Sequence, residues 1–196
     1  MEIAPLIYSR TGQCDYNSKF AVRPKGFSET QWARNKILAA MRNNGRFNEI
    51  RRIVAAKDGI CIAGIVCTMK YFVNNYLTGA EKDVAQPYSH ILGTLYEVFL
   101  GYAFECKGNE IPIVNYSDLW QWFKEYLVPE WEKKSARTVE VNYLSWDKVK
   151  TAHVTNHGTE FYDSAAFDDE ELFDEYLSRS LNTKSEIAFC SNVENI

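Results

Sequence analysis

The sequence predicts an α+β fold: one compact domain over residues 1–196, with a mixed or antiparallel sheet and about four to five helices. Three observations predict it. Apolar segments of both strand and helix period occur, without the regular alternation of a doubly wound sheet. The chain has 196 residues, 46% hydrophobic and 14% aromatic, enough for one well-filled core. The 5 prolines are scattered, and no repeat, low-complexity tract or Pro/Ser-rich linker divides the chain.

The elements follow in order. Residues 3–8 read as a first strand and residues 20–22 as a second, ended by Pro24 and Gly26. The polar stretch between them, with Gly12, suits a hairpin-like connection. Ser28 with Gln31 fits a capping box for a helix whose core face is Ala33, Ile37, Ala40 and Met41. Asn43-Asn44-Gly45 is its stop signal. A second helix is expected over residues 47–56, with Ile50, Ile53 and Val54 inward. Residues 59–68 are apolar on both faces and rich in β-branched side chains, as in a central strand.

Residues 88–104 carry apolar side chains at helical spacing, at 88, 91, 92, 95, 96 and 99. A helix is expected, although Gly93, Thr94 and Gly101 suit a strand better. Ser117 is read as the cap of a clearer helix with Leu119, Phe123, Tyr126 and Leu127 inward and Pro129 as its stop. Residues 138–146 alternate Val139, Val141 and Tyr143 with polar residues, a half-exposed strand. The acids Asp168, Asp169, Glu170 and Glu171 open a last helix, where the helix dipole favours negative charge. Residues 186–190 make a short final strand.

Charge is uneven. Residues 1–57 hold 11 Lys/Arg against four acids, a balance of +7, and the remainder stands at −11. The acids gather in the part from 160 to 196. Arg42, Arg46, Arg51 and Arg52 form the centre of the basic part, a candidate contact for an anionic partner. An internal pairing with the acidic helix is the alternative.

Several functions lose support. No G-x-x-x-x-G-K-[ST] or G-x-G-x-x-G occurs, which removes the common nucleotide-binding loops. No C-x-x-C occurs, and His153 and His157 lie in a polar stretch with Gly158, so neither a metal nor a cofactor is expected. Cys14 has no histidine near it in sequence and there is no G-x-S-x-G, which leaves nucleophilic catalysis unsupported. Glu105-Cys106-Lys107 places an acid and a lysine two apart. On a strand they share a face and suit a magnesium-dependent nuclease of the (D/E)-x-K kind, with Asp83 or Glu97 as second carboxylate. Charged residues this common produce about one such E-x-K by chance.

No uncharged apolar run reaches the roughly 18 residues of a membrane span; the run from Gly59 to Met69 is closed by Lys70. Met1-Glu2-Ile3 lacks a basic signal-peptide region, and five cysteines without tight spacing suit reduced thiols. A cytoplasmic protein that does not engage membranes is expected.

Two stretches carry a resemblance. Tyr8-Ser9-Arg10-Thr11-Gly12-Gln13-Cys14-Asp15-Tyr16 leads into Phe20-Ala21-Val22-Arg23-Pro24, and Asp83-Val84-Ala85-Gln86-Pro87-Tyr88 follows a central strand. Together they resemble the N-terminal domains of GTPase-associated accessory proteins of bacterial conflict and defence systems, over the first half of the chain. The resemblance implies a non-catalytic module that binds another protein and carries no catalytic residues. The expected function is therefore a partner-binding accessory protein; a nucleic-acid-binding subunit and the Glu105–Lys107 nuclease are the alternatives.

Overall fold

A computed structural model of the chain describes residues 1–11, 19–27, 30–43, 51–57, 59–85, 95–105, 110–127, 129, 137–151, 161–162 and 187–191. The fold is α+β. The principal sheet runs in the order β10-β11-β3-β4-β5-β1-β2-β7, with β8 added to β1. Its middle is β3 (Arg51–Lys57), β4 (Ile60–Cys67), β5 (Leu95–Glu105), β1 (Glu2–Thr11) and β2 (Lys19–Pro24). These five pair antiparallel throughout. β7 (Val139–Val141) joins β2 in parallel, and β8 (Leu144–Ser145) joins the start of β1. β11 (Ile187–Ser191) lies antiparallel to β3 and parallel to β10 (Phe161–Tyr162). β6 (Glu110–Pro112) and β9 (Val149–Thr151) form a separate antiparallel pair.

Both faces of the sheet are covered, which explains why β4 is apolar at every position. On one face Leu6, Tyr8, Ile53, Ala55, Ile62, Val66, Phe99 and Ala103 meet α1 (Thr30–Asn43). Helix α1 presents Ala33, Ile37, Ala40 and Met41, as its sequence spacing predicts, together with Trp32. On the other face Ile7, Cys61, Ala63, Ile65, Val98, Leu100, Tyr102 and Phe104 meet α2 (Met69–Tyr76), α3 (Gly79–Ala85) and α4 (Tyr116–Trp122). The alternation of these two sets along each strand is the period-2 geometry of a sheet.

Four expectations are corrected. The helix over residues 47–56 is replaced, where described, by β3, which pairs along its whole length with β4. Ile53 and Val54 suit a helical face by spacing, but β-branching and two pairing partners favour the strand. Gly59 has φ +85° and closes a tight turn between Lys57 and Ile60. Asp58-Gly59 is the sequence cue for that hairpin.

The helix over residues 88–104 is replaced by β5 from Leu95 onward; residues 88–94 lie outside the described residues. A strand buried on both faces is apolar at consecutive positions, so its residues also satisfy a helical stripe. The helix near Ser117 exists but is capped by Asn115. The Asn115 side chain accepts from Asp118 N at 2.9 Å, and Asp118 Oδ2 accepts from Asn115 N at 3.1 Å. Ser117 stands inside the first turn, and the helix continues as a π-helical turn over Phe123–Leu127. Leu119 and Phe123 are buried as expected. Finally, the strand over 138–146 is two short strands, β7 and β8.

The cap expected at Ser28 and the acidic helix opened by Asp168 lie outside the described residues. The last strand is present as β11. No helix among the described residues is long and apolar enough to cross a membrane.

Candidate partner-contact end of the sheet

The antiparallel order fixes which residues share an end of the sheet. β4 finishes at Cys67 where β5 begins, β1 finishes beside that start, and β2 and β3 begin there too. The Cys67 end therefore gathers the positions of Arg10, Lys19, Arg51 and Arg52. Lys70, in the first turn of α2, follows Cys67 by three residues and is exposed. Arg137 precedes Thr138, whose hydroxyl donates to Phe20 O at 2.8 Å, so it too lies beside the start of β2. Five separate chain segments thus bring cationic residues to one end, while Glu97 is the acid on the described strand ends there.

A helix over residues 47–56 would put Arg51 and Arg52 in one exposed patch with Arg42 and Arg46, at the corner between two helices. In β3 adjacent positions belong to opposite faces. Position 51 has the parity of Ile53 and Ala55 on the α1 face, and position 52 pairs with Ile65 of the other core. Arg42 lies in the last turn of α1, which packs on β3 and β4. Arg46 lies outside the described residues.

The polar interior next to this end is built from Tyr8, Ser9 and Glu97. All are buried, Glu97 to 3% exposure. Exposed Arg34 on α1 donates from Nε to the Tyr8 hydroxyl at 3.2 Å, tying the helix to β1. Burial lowers the affinity of Lys19 for its proton. Burial, and then the Glu97 carboxylate, push the Cys67 thiol far above the ordinary range, so Cys67 is an inert core thiol. Cys61 and Cys67 are both free and buried.

Of the nuclease alternative, Glu97 lies at the Cys67 end and Glu105 at the other end of β5. Glu105 is exposed at the last position of β5, Asp83 is exposed on α3, and Lys107 lies outside the described residues. Glu97 is eight positions from Glu105 along one strand, about 26 Å at strand rise. It cannot share a metal with Glu105. Among the described residues no group of three or more His, Cys, Asp or Glu is placed to hold a metal ion. Cys14, His153 and His157 lie outside the described residues.

Arg10, Lys19, Lys70 and Arg137 carry no linear signal that links them, and their convergence is produced by strand order. Comparison with family models, curated proteins and solved structures finds no match for this chain.

Proposed function

We propose that the protein is a non-catalytic binding module that contacts an acidic surface of a partner protein through the Cys67 end of its sheet. Arg51 and Arg52 are the centre of the contact, with Arg42 and Arg46 as the further cations of the basic segment. The observation that carries this reading is the convergence of Arg10, Lys19, Arg51, Arg52, Lys70 and Arg137 from separate segments onto one end. Guanidinium groups suit carboxylate clusters because they donate paired hydrogen bonds in a fixed plane. A field of one sign also speeds encounter with an oppositely charged partner. The resemblance of the first half of the chain to accessory proteins of bacterial defence systems supports a protein as that partner.

Titration with polyglutamate and with a polynucleotide of equal charge, at two salt concentrations, tests the reading. The proposal expects polyglutamate to bind, and to bind more weakly when Arg51 is reversed to glutamate. Steeply salt-dependent binding of the polynucleotide alone would make the protein a nucleic-acid-binding subunit instead.

A further inference from the structure

Arg34 follows the buried pair Trp32 and Ala33 on α1 and is itself exposed. Its Nε donates to the Tyr8 hydroxyl at 3.2 Å. Tyr8 is fully buried, and its ring meets Phe20 edge-on with centroids 5.1 Å apart. A hydroxyl anchored in the close-packed core thus holds a surface guanidinium in one orientation. Among the described residues no carboxylate pairs with Arg34.

Strand register sets this arginine beside the cationic end. Tyr8 lies opposite Phe99, Phe99 opposite Val66, and Val66 opposite Arg51. The next row toward the end runs through Ser9, Val98 and Cys67. Position 10 has the parity of Tyr8 and lies two residues further along β1. Positions 10 and 51 therefore share the α1 face with Tyr8, and Arg34 adds a charge from the helix that covers that face.

The engaged Nε decides which edge of the guanidinium is left for a ligand. A carboxylate can be taken side-on, through Nε and one terminal nitrogen, or end-on, through both terminal nitrogens. Tyr8 occupies Nε, so the end-on edge remains, with two parallel N–H donors in one plane. A fork already fixed in place loses less conformational freedom per hydrogen bond than a free side chain. A lysine at position 34 would carry the charge without the fork.

We propose, on the reading of the Cys67 end as a contact for an acidic protein, that Arg34 is a specificity-determining residue of that contact and Tyr8 its positioning residue. The two terminal nitrogens of Arg34 receive one aspartate or glutamate carboxylate of the partner end-on, beside the charges at positions 10 and 51.

Titration of the full chain with polyglutamate at two salt concentrations, compared at equal folded fraction, tests the proposal. Arg34→Lys keeps the charge, and Tyr8→Phe keeps the whole arginine. Each is expected to weaken binding about threefold with the salt dependence unchanged. Arg34→Gln should weaken it at least as much and also lower the salt dependence. Lys57→Gln removes the same charge at the opposite end of β3 and should leave the affinity unchanged. Wild-type affinity in either Arg34→Lys or Tyr8→Phe overturns the proposal, because charge alone, or a strut between α1 and β1, would then account for Arg34. Equal losses in Lys57→Gln and Arg34→Gln overturn it too. Weakening by Arg51→Glu with no effect of the Arg34 variants overturns this role of Arg34 and leaves the contact at the Cys67 end standing. Polyglutamate that fails to bind the wild-type chain overturns both.

Discussion

Gly64 and Gly101 face each other across the β4–β5 pair, and the Phe99 ring lies over both. A Cβ on Gly64 would stand 2.5 Å from Gly101 Cα and 2.5 Å from Leu100 O. A Cβ on Gly101 would collide with Ala63 O and the same ring. An aromatic residue covering strand glycines restores the packing that they lack. Gly101→Ala is expected to destabilise the fold by about 1–3 kcal/mol or more, measured by urea unfolding. Phe99→Leu should not rescue it, because the nearest obstacle is backbone.

Phe123→Ala is expected to cost about 3–5 kcal/mol and to lower Tm sharply. Phe123 is buried, and its ring stacks on Trp120 at 5.6 Å with a 13° interplanar angle. It anchors the π-helical turn that follows α4. An unchanged Tm would place this face outside the core.

The cap of α4 separates two readings of the same helix. Asn115→Ala should cost about 1 kcal/mol, since it removes the acceptor for Asp118 N. Ser117→Ala should change stability by less than about 0.5 kcal/mol. Chemical denaturation of the two variants side by side decides between them. The sequence alone favours Ser117 because it directly precedes acidic and apolar residues, whereas the Asn115–Asp118 reciprocity depends on the chain's entry angle.

Legibility follows from how local each signal is. β1, β2, β4 and α1 are marked by their own residues: a continuous apolar run for β4, and Ala33, Ile37 and Met41 for α1. β3 and β5 are not so marked. Ile50, Ile53 and Val54 match a helical face, as do the apolar residues from Tyr88 to Phe99. β5 is a strand because it pairs along its length with both β1 and β4, and both partners are non-local. For the basic end, Arg51 and Arg52 stand out in sequence as neighbours of Arg42 and Arg46. Lys19, Lys70 and Arg137 join them only once strand order is known, because it brings together the ends of segments far apart in the chain.

Alkaline pH should unfold the protein in a predictable direction. Burial raises the Tyr102 hydroxyl well above its ordinary 10.0, and the Cys67 thiol well above its ordinary 9.0. In the unfolded chain both groups lose protons first, so stability is fully present below about pH 9 and falls as pH rises beyond it. Each group should contribute a slope of about 1.4 kcal/mol per pH unit once above its unfolded pKa. Unfolding free energies from pH 8 to 11 check this, and Tyr102→Phe should reduce the slope above pH 10. That variant also loses the hydrogen bond from the Tyr102 hydroxyl to Pro112 O at 3.3 Å.

The central claim is that the Cys67 end of the sheet is the contact for an acidic protein partner. Its most direct test is the affinity of the partner captured from the native host for the wild-type chain and for Arg42→Glu/Arg51→Glu, compared at equal folded fraction. The account predicts that the double reversal weakens binding by tenfold or more, about 1.4 kcal/mol, with Tm nearly unchanged. A double reversal that unfolds the protein while each folded molecule keeps its affinity would contradict the claim, and would make these arginines part of an internal ion-pair surface.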